Sequence, residues 1–231
     1  MFCSGSGQIV KQFSETPLAS LSRSKFAFME SPIFEHKDQV RYHIWDLMQK
    51  KGIAIFPLPP YRRIPNFKDA RIAAAKIKRL PQYKSSRCVF SGPDSVLRPL
   101  RDQILRDKKI LAYATPHMKE MKIMKPQNSK LDTSIRGLIR KGERLTEKVD
   151  IAVVGSVAVD FKGNRLGKGS GYGDREIEYL RKNNLIEDDF KIGTLVHSVQ
   201  LIPDLSMFRE PHDIPVDFIL TEKELLYAAV S

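Results

Sequence analysis

Cysteine is scarce in this chain of 231 residues, which has only Cys3 and Cys88. Two cysteines so far apart form no metal or redox motif and no disulfide framework, so we expect a reduced, cytoplasmic environment. No apolar run reaches the roughly 20 residues that a membrane-spanning helix needs. The sequence also has no internal repeat, and neither the Walker pattern nor the dinucleotide-binding glycine pattern. These absences argue against a disulfide-stapled secreted module and against an integral membrane protein.

Acidic residues are outnumbered, because 39 Lys and Arg residues stand against 27 Asp and Glu residues, a formal net charge of +12. Such an excess predicts an anionic partner. Nucleotide phosphates, a polyglutamate tail and nucleic acid all fit, and solvation of the surface explains most of the lysines equally well. With 42% hydrophobic residues the chain can bury the core of one α/β domain.

Residues 1–30 differ in composition from the rest of the chain, since they are rich in serine, poor in acid and without periodicity. We expect a disordered N-terminal arm here and one folded domain over residues 31–231. An organellar transit peptide is an alternative, because such segments are basic, serine-rich and acid-poor. Glu15 and Glu30 weaken that alternative, and Met29 is an alternative initiator.

The hydrophobic periodicity predicts an α/β fold. Helices are predicted over residues 36–51, 67–79 (with Asn66 as N-cap), 96–105, 134–140 and 175–182. Strands are predicted over residues 87–90, 109–115, 149–159, 192–202 and 216–220. Apolar runs that alternate with helical segments indicate a parallel sheet with helices on both faces. Apart from the short helix, residues 119–148 show little pattern.

The most informative segment is 163–174, with the sequence G-N-R-L-G-K-G-S-G-Y-G-D. It follows the apolar run 151–159 and precedes the predicted helix 175–182. A strand, a glycine-rich loop and a helix N-terminus together form a phosphate cradle. Glycines let backbone N–H groups approach an anion, and the start of the helix adds positive potential. The segment therefore predicts a nucleotide-binding loop.

The strand and loop up to Asp174 resemble the signature of the 5-formyltetrahydrofolate cyclo-ligase family, an apolar strand followed by D-x-x-G-x-R-L-G-x-G-x-G-Y-Y-D. Lys37 and Arg41 match the family's K-x-x-x-R in the first helix, and residues 211–221, P-H-D-I-P-V-D-F-I-L-T, are similar to its closing segment. The resemblance covers residues 36–225 and is nearest the divergent methenyltetrahydrofolate synthetase domain-containing branch. Shared with that branch are R-I-P-N-F (63–67), V-V-G-S-V-A-V (153–159) and V-H-x-x-Q (196–200).

The resemblance implies a three-layer α/β/α sandwich with a mostly parallel sheet, like that of sugar-phosphate isomerases and CoA transferases. It also implies an ATP- and Mg²⁺-dependent reaction. The γ-phosphoryl group passes to the formyl oxygen of 5-formyltetrahydrofolate, N10 attacks the activated carbon, and phosphate leaves to give 5,10-methenyltetrahydrofolate.

The resemblance assigns three charged residues of the loop to catalysis. Arg165 and Lys168 would offset phosphate charge, and Asp174 would hold Mg²⁺, a cation that prefers oxygen ligands. The predicted ATP-binding residues are Lys37, Arg41, Arg165, Gly167, Lys168, Gly169, Ser170, Gly171 and Tyr172.

The substrate-binding residues predicted for this chain are Ser95, His197 and Tyr172. Tyr172 would stack on adenine or on the pterin, with packing against the sheet as an equal alternative. His197 falls inside a predicted apolar strand, so a satisfied core histidine is the favoured alternative. The pair His212 and Asp213 is read as a loop-stabilising contact rather than an acid–base pair.

Departures from the family pattern occur in the glycine loop and, more seriously, in the turn after the strand 87–90. Lys168 stands where the family usually has Arg, Ser170 where it has Lys, and Gly173 where it has the second Tyr. In the turn after the strand 87–90 the family carries D-E-x-E, and here Ser95 occupies the position of the functional Glu. The nucleotide half of the site therefore looks preserved, while the folate half is rebuilt.

Alternatives to the cyclo-ligase activity stay open at this point. One is an ATP-dependent enzyme acting on another heterocycle, such as a thiamine-related compound. Another is a nucleotide- or RNA-binding protein without catalysis, which the net charge favours although no nucleic-acid module is recognisable. The folate-like substrate would be a small molecule, with or without a polyglutamate tail. The protein would be a monomer or a homodimer.

Overall fold

An eight-stranded sheet forms the centre of the fold. The computed structural model describes residues 32–127 and 132–229. The strands are β1 (Ala54–Ile55), β2 (Asn66–Phe67), β3 (Cys88–Ser91), β4 (Ile110–Ala114), β5 (Met121–Met124), β6 (Glu143–Arg144), β7 (Val149–Gly155), β8 (Ala158–Val159), β9 (Arg165–Leu166), β10 (Ile186–Leu195), β11 (Phe218–Leu220) and β12 (Leu225–Tyr227). The helices are α1 (Lys37–Lys50), α2 (Ala70–Ala75), α3 (Pro81–Ser85), α4 (Arg98–Arg106), α5 (Ile135–Arg140) and α6 (Tyr172–Lys182). The predicted N-terminal arm lies outside the described residues.

The strand order of the sheet is β12-β11-β10-β7-β3-β4-β5-β6. The five strands from β11 to β4 are parallel to their neighbours, and β12, β5 and β6 add antiparallel edges. The central strands are buried on both faces, which is why they read as continuous apolar runs rather than as alternating patterns. The predicted mostly parallel sheet is thus confirmed.

Helices cover both faces of this sheet. Successive residues of β3 belong to different hydrophobic clusters, Val89 to one and Phe90 to the other. The cluster around Val89 includes buried residues of α1, α2 and α4, such as Ile44 and Leu100, whereas the cluster around Phe90 includes Ile177 of α6. Because side chains alternate across a strand, the sheet is the middle of three layers, as predicted.

The chain changes direction across the sheet between β3 and β7. From β3 it continues through α4 to β4 on one side, and from β7 through α6 to β10 on the other. In open α/β sheets, ligands bind in the crevice outside the carboxyl ends of the strands at such a switch point. The fold therefore places a candidate site beyond Ser91 and Gly155.

The predicted helix 67–79 is wrong at its start. Asn66 belongs to β2 and does not cap a helix, because its Nδ2 donates to the Phe56 carbonyl at 2.8 Å and its Oδ1 accepts from the Phe67 N–H. The helix begins only at Ala70 and continues as a 3-10 turn. Ile72, an apolar residue inside the predicted helix, is 52% exposed.

The predicted strand 192–202 is also wrong at its end, since β10 stops at Leu195. His197 instead begins a short 3-10 turn. The Gln200 side chain accepts from the His197 N–H at 2.7 Å and donates to the carbonyls of Ser156 and Val157. Because Gln200 makes these hydrogen bonds to residues distant in the chain, the backbone turns away from the sheet here.

The segment 119–148 holds more structure than its sequence pattern predicts. It contains β5 and β6, which extend the sheet beyond β4. The short helix predicted near 134–140 is present as α5, and the Ser134 side chain caps it by accepting from the Gly137 N–H at 3.2 Å. None of the helices in the described parts of the chain has the length and apolarity needed to span a bilayer.

Candidate functional site

A cleft of about 510 Å³ opens at the switch point of the sheet. Its volume lies in the range of small-molecule sites, roughly 300–1,000 Å³. The cleft is lined by the glycine loop, the start of α1, the turn after β3 and the segment around Asp213. Every residue predicted to bind ATP lines it: Lys37, Arg41, Arg165, Gly167, Lys168, Gly169, Ser170, Gly171 and Tyr172. Asp174 and Ser95 line it too, so one cleft gathers nearly all predicted site residues.

The glycine loop joins β9 to α6, and its backbone conformation depends on glycine. Gly169 has φ +103° and Gly171, the N-cap of α6, has φ +64°. Both lie in the left-handed region that other residues adopt at a cost. At Gly167 an added Cβ would meet nothing within 4 Å, so this part of the loop borders open space. The loop and the 11-residue helix α6 present backbone N–H groups and positive potential at the cleft.

Arg41 supports the loop from α1. Its Nε donates to the Gly167 carbonyl at 2.8 Å, and its Nη1 pairs with Asp38 at 2.6 Å. Only 12% of the Arg41 side chain is exposed. The structure thus brings Arg41 to the loop, where it fixes the backbone as well as adding charge.

Arg165 and Asp174 close the two ends of the loop segment with a 2.6 Å ion pair between Nη2 and Oδ1. The Arg165 side chain is only 4% exposed, and its buried Nε has no hydrogen-bond partner. A Cβ at Gly173 would lie 3.1 Å from Arg165 Nη2. Gly173, a departure from the family's tyrosine, therefore stands directly against the guanidinium group of Arg165.

Lys37 and Lys168 differ in how they are paired. Lys37 Nζ lies 2.6 Å from Glu210 and 3.2 Å from Asp213, so Lys37 links α1 to the segment around Asp213. Asp213 also accepts from the Glu210 N–H at 2.9 Å, in agreement with the loop-stabilising role expected for it. Lys168 is exposed and has no hydrogen bond or ion pair within the described ranges. Lys168 is therefore a cation of the cleft whose charge is available to a ligand.

Tyr172 is held at the rim of the cleft. Its hydroxyl lies 3.1 Å from His117 Nδ1, and the Arg175 guanidinium sits 4.5 Å from the ring centroid, a cation–π distance. Contacts with His117 were not predicted. His117 has φ +62°, and its position depends on the turn after β4, which local sequence patterns do not define.

Two carboxyls of the cleft were missed as site residues. Asp94 follows β3, and Glu176 lies in the first turns of α6 with 4% of its surface exposed. Burial, and then the negative charge of Asp94, raise the pKa of Glu176 to about 8. Burial also raises the pKa of Asp94, against the opposing effect of Lys168. Ser95 sits beside Asp94 in the same lining.

His197 does not reach this cleft. Its ring packs edge-on against Phe67 with centroids 5.4 Å apart, and its Nε2 is 3.6 Å from Glu222 Oε1. Burial lowers the pKa of His197. This placement agrees with the structural alternative for His197 and gives no geometric support to a substrate-binding role.

The donor set for a metal is small. In the part of the chain that the structure describes, no group of three or more His, Cys, Asp or Glu side chains could hold a metal ion. Asp174 Oδ1 is used by Arg165 and by the Ile214 N–H at 3.0 Å, whereas Oδ2 has no such contact among these residues. A magnesium ion here would need further oxygens from a nucleotide or from water, as this ion commonly does.

These features define an open α/β protein with a glycine-rich loop at the switch point of its sheet. The chain belongs to the 5-formyltetrahydrofolate cyclo-ligase family, whose model matches residues 33–222. The family predicted from the loop and the first helix is thereby confirmed.

Relatives in animals carry the name methenyltetrahydrofolate synthase domain-containing protein. The Bos taurus protein is 35% identical over 202 residues, which are 82% of this chain and 53% of that protein. The Homo sapiens protein is 34% identical over 202 residues, with the same shares of 82% and 53%. The chain thus spans about half the length of the curated relatives it matches.

The fold is shared with a solved structure. The NMR structure of Aquifex aeolicus 5,10-methenyltetrahydrofolate synthetase superposes with a TM-score of 0.58 at 24% sequence identity. The match covers 84% of this chain and 93% of that one. At this identity the likeness establishes the architecture alone.

Proposed function

We propose that this chain is an ATP- and Mg²⁺-dependent enzyme that converts 5-formyltetrahydrofolate to 5,10-methenyltetrahydrofolate. The observation that supports it most is the glycine loop at the start of α6, which shares one cleft with Arg165 and Lys168. Phosphoryl transfer depends on positioning and charge neutralisation more than on covalent machinery. ATP, when bound, supplies the phosphoryl group that turns the formyl oxygen into a leaving group.

Several groups of the cleft bind the triphosphate, each in a different way. Backbone N–H groups of the loop and of the start of α6 bind phosphate oxygens. Lys168 adds a mobile point charge, and Arg165, held by Asp174, adds a fixed one. Arg41 keeps the loop in place through the Gly167 carbonyl. The Oδ2 atom of Asp174 is the oxygen that this chain offers to Mg²⁺.

A second candidate is an ATP-dependent enzyme of the same family that acts on a different heterocycle. It is favoured by Ser95, which stands in the cleft where the family pattern has a functional Glu. A serine hydroxyl cannot replace the charge of a carboxylate near the reacting group. A loss of one such interaction costs on the order of 3 kcal/mol of transition-state stabilisation. Turnover of 5-formyltetrahydrofolate is therefore expected to be slow.

The decisive experiment has two parts. Calorimetry of MgATP binding tests the nucleotide site, and we expect binding that Lys168→Met weakens but Lys182→Met, an exposed lysine at the far end of α6, leaves unchanged. An ATP-dependent absorbance assay for 5,10-methenyltetrahydrofolate tests the reaction. Absence of MgATP binding would overturn both enzyme candidates. MgATP binding without any turnover of 5-formyltetrahydrofolate would favour the second candidate over the first.

A further inference from the structure

The positive charge of the chain is concentrated in one segment. Residues 76–148 contain 19 of the 39 Lys and Arg residues but only 7 of the 27 Asp and Glu residues, so this segment alone has the net charge of the whole chain, +12. Residues 149–231 have the opposite balance, with 9 Lys and Arg against 14 Asp and Glu. The first segment supplies β3 to β6 of the main sheet, and the second supplies β7 and β10 to β12. The domain therefore has a basic half and an acidic half.

A groove of about 640 Å³ opens in the basic half. Arg87 precedes β3, Lys109 precedes β4, and Lys125 follows the antiparallel strand β5, so these three residues lie at the same end of the sheet. Lys108 lines the groove beside Lys109. The cleft lies at the carboxyl ends of β3 and β7, and the groove lies at the amino ends of β3 and β4. The groove is therefore a second concave surface, which shares no lining residue with the cleft.

The basic surface continues from the groove onto the edge of the sheet. Lys125 Nζ lies 3.2 Å from Glu143 of the edge strand β6. The next residue of that strand, Arg144, is the register partner of Lys122 in β5. On the other side of the groove, the Lys84 carbonyl accepts from Lys109 Nζ at 3.4 Å. We call this surface the basic strip, and its residues are Lys84, Arg87, Lys108, Lys109, Lys122, Lys125 and Arg144.

Much of the charge of the basic strip is available to a partner. Lys84, Lys108 and Arg144 are exposed, and their side chains make no hydrogen bond or ion pair with any residue that the structure describes. Arg87 and Lys125 do form ion pairs, but their side chains are 77% and 53% exposed. Because exposed ion pairs contribute little, a phosphate group can replace either carboxylate.

The chemistry of the groove favours a polyanion over a protein or a membrane surface. Protein interfaces have an apolar core, and peripheral membrane helices insert apolar side chains beside their basic ones. Among the described residues of the groove lining, the only large apolar side chain is that of Ile110, which is 8% exposed. The same residues include no aromatic side chain on which a base could stack. Contacts are therefore limited to charged groups such as the phosphates of a nucleic acid, which give binding without sequence preference.

We propose that the basic strip binds the phosphodiester backbone of a nucleic-acid strand. This function goes beyond the reaction proposed for the cleft and does not depend on it. Since the cleft and the groove lie at opposite ends of the sheet, MgATP and a nucleic acid should bind at the same time. RNA and DNA strands of the same sequence should bind alike, because the strip contacts phosphates and not bases.

The test is fluorescence anisotropy with a labelled single-stranded RNA of about 20 nucleotides, at about 50 mM and about 200 mM KCl. We expect binding at the lower salt concentration and a steep loss at the higher one, because each phosphate contact releases a counterion. Replacing Lys108, Lys125 and Arg144 together with Gln should weaken binding at least about tenfold and reduce the slope of log K against log salt by about 2. This triple variant should keep the melting temperature and the MgATP affinity of the unmodified protein. Lys108→Gln alone should weaken RNA binding by a smaller factor.

A matched triple variant controls for net charge. Lys162→Gln, Lys182→Gln and Arg209→Gln together remove the same charge from exposed positions of the acidic half. This control should leave the affinity for RNA and the salt slope nearly unchanged. If the two triple variants lose affinity equally, the net charge of the protein and not the basic strip attracts the RNA, and the proposal is wrong.

Three further outcomes would overturn the proposal. The first is that the unmodified protein does not bind RNA at the lower salt concentration. The second is that an oligoglutamate peptide, or vesicles of equal parts phosphatidylcholine and phosphatidylserine, bind through the basic strip while RNA does not. The third is that saturating MgATP displaces the RNA, which would place the RNA in the cleft. Absence of MgATP binding in a protein that still binds RNA through the basic strip would refute the proposed enzyme function but not this inference.

Discussion

Arg165 and Asp174 form a 2.6 Å ion pair that joins the two ends of the glycine loop segment. The pair joins the last strand before the loop, β9, to the first turn of α6. Since the Arg165 side chain is 4% exposed, its charge depends on Asp174 for compensation. The conformation of the glycine loop and the stability of the domain are therefore linked through one contact.

Replacing Asp174 with Ala should destabilise the protein by about 3 kcal/mol, because it leaves the buried Arg165 charge without its partner. Urea unfolding measures this change. Glu178→Ala breaks the exposed pair with Lys182 and is the control, with an expected change below about 1 kcal/mol. If both substitutions changed the free energy of unfolding equally, the Arg165–Asp174 pair would not be the contact that holds the loop.

The sequence predicts the parts of the site that are formed by residues close together in the chain. It misses the parts that depend on contacts between residues far apart in the chain. The loop lies within one short segment, so glycine spacing predicted it. Arg165 and Asp174 were predicted as site residues from the family resemblance, but the ion pair between them was not predicted. Glu176 was missed because nothing local separates it from the exposed Glu178 two positions on. The Glu176 Oε2 atom would lie 3.6 Å from a Cβ at Gly92, in the turn after β3, which is distant in the chain.

The same distinction explains the errors in the fold. The central strands of the sheet are buried on both faces and were predicted from their apolar runs. Asn66 was misread as a helix cap because its side chain donates to the carbonyl of Phe56, the residue that follows β1. His197 was misplaced in a strand because Gln200 bonds to the distant Ser156 and Val157 carbonyls. In each case a long-range hydrogen bond overrides a local preference.

Glu176 should make the stability of the protein fall as the pH rises from about 5 to 8. Burial, and then the charge of Asp94, raise the pKa of Glu176 to about 8 in the folded state. Between the unfolded pKa and this value the folded state binds one proton more than the unfolded state, so stability decreases with increasing pH. The contribution is fully present below the unfolded pKa and is lost as the pH rises to about 8.

Glu176→Gln should therefore be more stable than the unmodified protein at pH 8, with a flatter pH dependence between pH 5 and 8. Each unit of pKa shift corresponds to about 1.4 kcal/mol, so an effect of a few kcal/mol is expected. Free energies of unfolding in urea at a series of pH values test it, with Glu178→Gln as control. An unchanged pH dependence in Glu176→Gln would show that Glu176 titrates normally.

Gly155→Ala should destabilise the protein by about 1–3 kcal/mol, the usual range for overpacking. The added Cβ would lie 2.7 Å from Ile64 Cγ2 and 2.9 Å from Asp94 Oδ2, and Ile64 is buried. Thermal unfolding measures the loss. Gly167→Ala is the matched control, because its Cβ would meet nothing within 4 Å. If Gly155→Ala were as stable as Gly167→Ala, the end of β7 would have more room than these distances allow.

Lys168 and Lys37 should contribute unequally to MgATP binding, although both line the cleft. Lys37 already pairs with Glu210 and Asp213, so its charge is largely compensated before a nucleotide arrives. Lys168 has no ion pair within the described ranges and is exposed. Lys168→Met should therefore lower the affinity for MgATP about tenfold, as expected for a charge-assisted hydrogen bond, and Lys37→Met by a smaller factor. Calorimetry at two salt concentrations checks both variants, since added salt should narrow the difference by screening the exposed Lys168. A larger loss in Lys37→Met would mean that the nucleotide displaces Glu210 and Asp213 from Lys37 upon binding.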